Sequence, residues 1–335
     1  MKRIVLRADG SSKIGMGHVM RCVAISQMLK GEFELGFAIF MPDKQVKEAI
    51  SAAGLKVLEL KSQFDIQYAD GYDAVVLDGY WFDNTYVKQL KKLRKKVIQI
   101  DDLAGNEFFS DVVINHAVGA DYSTSVFHNQ TRLLTGSKYA LLREEFLYTH
   151  HTASVKDNLE SLTISMGGAD PHNYTLKLLM AITHTVHKTT SINLLIGTAF
   201  SQLNELKAFT KNHSNLAIHV KQSLNASEII DLIKNTSMFI CSASTVVYEA
   251  LAVRVPVACF VTADNQQGIY KGLVLANCVL GMGDITVKPE NTLKATMQEA
   301  FTNYSLARSY VKNQELLIDG RSGERIKEIT RSLWN

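Results

Sequence analysis

The sequence predicts an α/β protein built from two Rossmann-like, doubly wound domains facing each other across a cleft. Three observations carry this expectation. Strand-like runs alternate with helix-like segments along almost the whole chain. The strand-like runs are continuously apolar, as parallel strands covered on both faces must be. The 335 residues also exceed one ordinary core, since domains hold roughly 100–200 residues.

In the first half, Lys2–Arg7 reads as a strand and is followed by a glycine-bearing loop. Gly17–Lys30 then reads as a helix with Val19, Cys22, Ile25 and Leu29 along one face. Phe33–Phe40 is a strand, Asp43–Ala53 a helix ending near Gly54, and Ala74–Leu77 a short apolar strand. Thr85–Arg94 is helical, and Lys96–Ile100 and Asp111–Asn115 are strands. The polar stretch His150–Asn158 breaks the pattern and reads as a linker. The second half resumes with strands at Leu162–Ser165, Ser191–Ile196, Leu216–His219, Met238–Cys241 and Val255–Val261. Between and after them, Thr175–His184, Gln202–Lys211, Ala226–Lys234, Thr245–Ala252 and Gln266–Leu275 read as helices. Leu306–Asn335 is rich in helix formers. The expected domains are therefore 1–150 and 158–315, with 316–335 a helical segment crossing back to the first.

Hydrophobic residues make up 46% and charged residues 21%, a globular balance that excludes disordered and collagen-like classes. A net charge of +3 gives no reason to expect a nucleic-acid partner. No apolar run approaches the roughly 20 residues that span a bilayer. The opening MKRIVLRADGSSKIG returns to charge at Arg7 and Asp9, too soon for a signal peptide. A cytoplasmic protein without stable membrane insertion is expected. Cys22, Cys241, Cys259 and Cys278 show no CxxC pairing and read as buried thiols. No metal or cofactor is expected, and the oligomeric state is not set by the sequence.

Five constellations could carry chemistry. ADGSSKIGMGH, from Ala8 to His18, lies between a strand and a helix, where open α/β sheets place ligands. Gly15 and Gly17 let backbone approach a bound group, and the helix start favours an anion. His18 is placed for proton transfer near neutral pH. Asp9 and Arg21 are counted with this loop as substrate contacts. The spacing is not the dinucleotide GxGxxG, and a loop histidine that caps or packs is the plain alternative.

LDGYWFD, with Asp78, Gly79 and Tyr80 after a buried strand, suits a sugar or base platform, or a turn with packed aromatics. Asp101 and Asp102 read as capping or orienting residues, because adjacent side chains point apart and disfavour a shared metal. SMGGADP offers Gly167 and Gly168 to a phosphate, with Asp170 and Pro171 starting the next helix. CSASTVVYEAL offers Ser244 and Thr245 to a diphosphate and Glu249 to a ribose diol. An N-cap with an early-turn glutamate would look similar. Asn265 and Gln266, after the next strand, add polar groups on the same edge.

In this order, RADGSSKIGMGHVMRC, LDGY, IDDLAG with VIN, SMGGADPHN, SASTVVYEAL and ADNQ resemble the sugar-nucleotide hydrolase family of pseudaminic acid biosynthesis. That family removes UDP from UDP-2,4-diacetamido-2,4,6-trideoxy-β-L-altropyranose. The SASTVVYEA block is also similar to that of the two-domain transferase adding N-acetylglucosamine to the peptidoglycan lipid precursor. The resemblance implies a GT-B arrangement, UDP held mainly by the second domain, and metal-free, inverting cleavage at the anomeric carbon. It further implies His18, Tyr80 and Asn265 as catalytic, with Asp78, Gly79 and Glu249 at matching positions. The sequence departs from the family at Cys241-Ser242-Ala243, at Ala252-Val253-Arg254 and at Tyr248. A GT-B glycosyltransferase and a non-catalytic sugar-nucleotide-binding protein remain the alternatives, with an epimerase behind them.

Overall fold

Continuous apolar runs become buried parallel strands here, and the polar residues gather where those strands end. The computed structural model describes residues 1–11, 15–128, 130–147, 149 and 155–335. The chain divides into unit 1, Met1–Leu147 with Gly320–Asn335, and unit 2, Tyr148–Asp319. Residues 150–154 of the stretch read as a linker lie outside the described residues, as do residues 12–14 of the first loop.

Unit 1 runs β1 (Arg3–Ala8), α1 (Gly17–Leu29), β2 (Glu34–Phe40), α2 (Lys44–Ala52), β3 (Lys56–Leu60), β4 (Ala74–Asp78), α3 (Asn84–Lys92) and β5 (Lys96–Ile100). It continues through β6 (Glu107–Phe108), β7 (Val112–Asn115), β8 (Val126–Phe127), β9 (Arg132–Thr135) and α4 (Glu144–Leu147). Seven strands form one parallel sheet in the order β3-β2-β1-β4-β5-β7-β9, while β6 and β8 form a separate two-stranded ribbon. Val5, Val75, Leu77 and Val97 of the sheet pack with Tyr86, Val87 and Leu90 of α3 in one core cluster. Val19, Cys22, Ile25 and Leu29 of α1 are all fully buried, as the helical spacing predicts.

Unit 2 runs β10 (Ser161–Ser165), α5 (Tyr174–Ile182), β11 (Ser191–Ile196), α6 (Leu203–Asn212), β12 (Ala217–Gln222), α7 (Ala226–Lys234) and β13 (Met238–Ser242). Then come α8 (Thr245–Val253), β14 (Val257–Val261), α9 (Gln267–Leu275), β15 (Leu280–Asp284), α10 (Glu290–Thr302) and α11 (Tyr304–Leu317). Its sheet order is β12-β11-β10-β13-β14-β15, again all parallel. A last helix, α12 (Ser322–Arg331), returns to unit 1 and packs on α1.

Each sheet reverses its strand order once, between β1 and β4 in unit 1 and between β10 and β13 in unit 2. Such switch points are where open α/β sheets leave a crevice for ligands. The register sharpens this. Ala8 pairs beside Asp78, and Ser165 beside Cys241, so in each unit two of the flagged loops leave the sheet side by side. Not predicted from the sequence are the short β6, β8 and α4, the helix α10, and three strands of the main sheets, β3, β9 and β15. The three strands lie at sheet edges, where one flank is open and the apolar run is diluted. Among the described residues, no helix is long and apolar enough to cross a membrane.

Candidate active site

The unit 1 switch point holds a compact ionic cluster around His18. The chain leaves β1, folds back through a hydrogen bond from the Gly15 amide to Ser11 O, and enters α1. Gly15 has φ +92°, a conformation that side chains with a Cβ rarely adopt. His18, in the first turn of α1, sets Nδ1 2.7 Å from Asp78 Oδ1 at the end of β4. One turn later, Arg21 grips the same carboxylate as a fork, Nε to Oδ2 at 2.8 Å and Nη2 to Oδ1 at 2.7 Å. Its Nη1 donates to Asp102 Oδ2 at 2.9 Å, and the Tyr80 hydroxyl donates to the same oxygen at 3.0 Å. Tyr80 and Trp81 pack edge-on against the imidazole, with ring centroids 4.9 and 5.6 Å away.

The protonation pattern follows from the donors. A carboxylate only accepts, so the 2.7 Å contact requires the proton on Nδ1. Arg21 Nη2 also lies 2.9 Å from Nδ1, because both donors converge on Asp78 Oδ1, and we read this as proximity rather than as a bond. In the neutral ring, Nε2 is then the unprotonated nitrogen, on the edge opposite Asp78. Burial alone would raise the Asp102 carboxyl, but the Arg21 charge and the hydrogen bonds from Arg21 and Tyr80 hold it below its ordinary value. Burial alone would lower the Arg21 guanidinium, but its two carboxylate partners outweigh that and raise it. The cluster therefore keeps two negative charges against one positive charge next to the imidazole.

Exposed apolar side chains also stand along the carboxyl edge of the sheet. Met41, Phe64, Tyr80 and Leu103 follow the ends of four different strands and are all exposed.

In unit 2 the switch-point loops are 166–173 and 243–244. Gly167, at φ +103°, turns the first. Asp170 accepts from the amides of Tyr174 and Thr175 at 2.9 and 2.7 Å, so the start of α5 is already occupied by a carboxylate. Burial raises that carboxyl above its ordinary value despite these bonds. The start of α8 differs. Ser244 stands at its N-cap but makes no side-chain cap, and its hydroxyl pairs with Ser242 Oγ at 2.9 Å instead. Helices α2, α3 and α7 do receive side-chain caps, from Asp43, Asp83 and Asn225. At α8 the first-turn dipole is thus without an acidic partner in its first turn. Glu249 lies buried in the same helix, and Asn265 is half-buried in the turn 264–266.

Comparison with known proteins gives the fold a name. No family model matches the chain. It is 26% identical to the UDP-2,4-diacetamido-2,4,6-trideoxy-β-L-altropyranose hydrolase of Campylobacter jejuni, over 79% of this chain and 93% of that protein. It is 22% identical to the spore coat polysaccharide biosynthesis protein SpsG of Bacillus subtilis, over 98% of this chain and 97% of that one. An uncharacterized protein of Methanocaldococcus jannaschii is 27% identical over 80% of this chain, which spans only 57% of that relative's length. Among solved structures, MurG of Acinetobacter baumannii superposes with a TM-score of 0.66 at 13% identity, covering 99% of this chain and 100% of that one. The spinosyn rhamnosyltransferase SpnG with thymidine diphosphate gives 0.68 at 12% identity, with both chains fully covered. The fold is that of the GT-B glycosyltransferases. The resemblance read from the motifs reappears in the hydrolase relative.

Within this GT-B frame, several residues expected to touch substrate have other work. Asp9 is 1% exposed, and its carboxylate is taken by the Arg7 guanidinium, the Phe40 amide and Gln63 Nε2. It fastens the base of the loop. Asp78, also 1% exposed, orients His18. Arg21 is consumed by Asp78 and Asp102. Gln266 closes its own turn, its Oε1 accepting from the Thr262 amide at 2.9 Å. His18 and Tyr80 come together in unit 1, while Gly167, Gly168, Ser244, Thr245, Glu249 and Asn265 belong to unit 2. Gly17 carries no such constraint, for a Cβ there would meet open space. Asp101 turns away from Asp102 and accepts from Tyr122 Oη at 2.5 Å.

His116, which the sequence does not single out, lies buried within electrostatic reach of Arg21, Asp102 and Asp78. Burial, and secondarily the Arg21 charge, push its imidazole down to about 4 from an ordinary 6.5. Its Nδ1 accepts from the Leu141 amide at 3.3 Å, so the neutral ring is the one that fits. The unfolded chain binds this proton more readily, so stability falls as pH drops from about 6.5 to about 4 and then levels off. The loss is at most about 3 kcal/mol. Urea midpoints measured across this window should slope downward toward acid, and His116→Gln should flatten the slope. An unchanged slope would show that the ring is not buried neutral. Asp102, held low, adds a separate loss only below its ordinary value of 3.8.

Proposed function

We propose that this protein hydrolyses a UDP-linked diacetamido-trideoxy sugar, releasing UDP and the free sugar. The observation that carries the reading is the His18–Asp78 pair at the unit 1 switch point, with Nε2 as the available base. In this reading His18 Nε2 takes a proton from water as its oxygen bonds to the anomeric carbon. The bond from that carbon to the diphosphate oxygen breaks, and UDP leaves with the electron pair, inverting the centre. The uncapped start of α8, with Ser244 and Thr245, would take the charge growing on the diphosphate. Glu249 would accept from the ribose hydroxyls, and Asn265 would help to position sugar or water. The backbone of Gly167 and Gly168 would approach the phosphates. Exposed apolar side chains at the strand ends of unit 1 would suit a deoxy, acetylated sugar, and the Campylobacter relative carries that substrate in its name.

The deciding experiment incubates the protein with a panel of UDP-diacetamido-trideoxy sugars, without acceptor, and follows UDP and free sugar by NMR. Release of both supports hydrolysis. Turnover only after an acceptor is added would make the protein a transferase, and binding without any turnover would make it a carrier. Glu249→Gln should weaken UDP binding by about tenfold, the loss of a charge-assisted hydrogen bond of about 1.5 kcal/mol or more. Isothermal titration with UDP checks this, and unchanged affinity would remove Glu249 from the site.

A further inference from the structure

The sequence reading leaves Asp102 as a loop-orienting acid, and nothing in the proposed reaction needs it to touch substrate. Yet its Oδ2 is the point where two lines of the site meet. It accepts from Arg21 Nη1 at 2.9 Å and from Tyr80 Oη at 3.0 Å. Arg21 in turn forks onto Asp78, and Asp78 meets His18. We propose that Asp102 is the positioning residue of this site, fixing Tyr80 directly and, through Arg21 and Asp78, the tautomer and charge balance of His18.

Geometry and charge both support this. Without Asp102, Arg21 keeps only Asp78 among the described residues, and its Nη2, 2.9 Å from Nδ1, can donate to the ring and stabilise the tautomer protonated on Nε2. That tautomer cannot accept a proton from water. Charge acts in the same direction. With Asp102 present, the proton arriving on Nε2 neutralises a cluster carrying one net negative charge. Without it, the imidazolium forms beside a guanidinium and carboxylate that already cancel. Several groups among the described residues face the ring or its partners. Asp78 and Tyr80 come from β4 and the loop after it, Arg21 from α1, and Asp102 from the loop after β5. His116, after β7, feels Arg21, Asp102 and Asp78, and Cys22 feels Asp78, Arg21 and Arg7. Burial raises the Cys22 thiol and keeps it neutral. Asp102, held low, is ionised throughout the neutral range.

The proposal rests on His18 serving as base, but its first test needs no turnover. Long-range nitrogen–proton NMR of histidine-labelled protein, with His18 assigned by its loss in His18→Asn, reports the ring tautomer directly. The wild type should show the proton on Nδ1, and Asp102→Asn should show a mixture with Nε2. In kinetics, Asp102→Asn should lower kcat about tenfold with little change in KM, and move the acid limb of the kcat/KM profile about one pH unit lower. Asp102→Glu, which keeps the charge, should restore the limb. A wild-type ring protonated on Nε2 overturns the proposal even if Asp102→Asn does not fold. An unchanged tautomer and profile in folded Asp102→Asn overturn it too. If no UDP-sugar is turned over while the tautomer still shifts, the hydrolase reading fails and the positioning role stands.

Discussion

His18→Asn should cut turnover of the UDP-sugar by about 10²–10⁴-fold while leaving UDP affinity within a factor of about two. The size follows from removing a general base, and the selectivity from the architecture. His18 sits on unit 1, whereas Ser244, Thr245 and Glu249, proposed to hold UDP, sit on unit 2. Asparagine can still donate to Asp78, so the cluster keeps its hydrogen bonds and the fold is spared. Single-turnover rates and titration calorimetry on the same preparation check both halves of the statement. Wild-type rates would end the base assignment. Equal losses in rate and UDP affinity would mean that the ring binds nucleotide rather than activating water.

The second large effect is on stability. Arg21→Met should destabilise unit 1 by about 3–5 kcal/mol, because it strands Asp78 and Asp102 as unpaired charges in a site where they are nearly fully buried. The cost is mainly that of the orphaned carboxylates rather than the loss of a favourable pair. Adding Asp78→Asn and Asp102→Asn to Arg21→Met should therefore recover most of the stability without recovering activity. Acid should narrow the gap between Arg21→Met and wild type, since the stranded carboxyls become neutral when protonated. Denaturant midpoints at neutral pH and near pH 4 test this. A mild loss at neutral pH would mean that the carboxylates reach water.

Much of this site was legible in the sequence, and the limits have physical causes. The strand, glycine loop and helix around His18 are local features, and their spacing alone predicts a ligand edge. The parity of Asp101 and Asp102 likewise foretells that they diverge. Asp101 goes to Tyr122 and Asp102 to Arg21 and Tyr80. Spacing cannot name those partners, because Arg21 and Asp102 are 81 positions apart and meet only once β1, β4 and β5 are in register. Asp9, Arg21 and Asp78 were expected to bind substrate because polar residues at a switch point usually do. Their burial instead gives Asp9 to Arg7 and pairs Arg21 with Asp78. A signal was present all the same. Two acids and an arginine converging on one sheet edge need internal pairing before any can be spared for a ligand. The edge strands β3, β9 and β15 stayed hidden for a different reason. With one flank open to water, as in the KVLEL of β3, charged residues interrupt the run that marks an inner strand.

The return of α12 to unit 1 sets an order of assembly during synthesis. Glu32 is held by Arg331, 299 positions later, Arg132 by Ser332, and Phe33 lies against Trp334. At about 5–20 residues per second, the ribosome takes about 15–60 s to deliver those partners after residue 32 has been made. Unit 2, uninterrupted in sequence, can finish folding in that interval. The half that carries His18 is begun first and completed last, so the packing of α12 on α1 can form only after all of unit 2 has been synthesised.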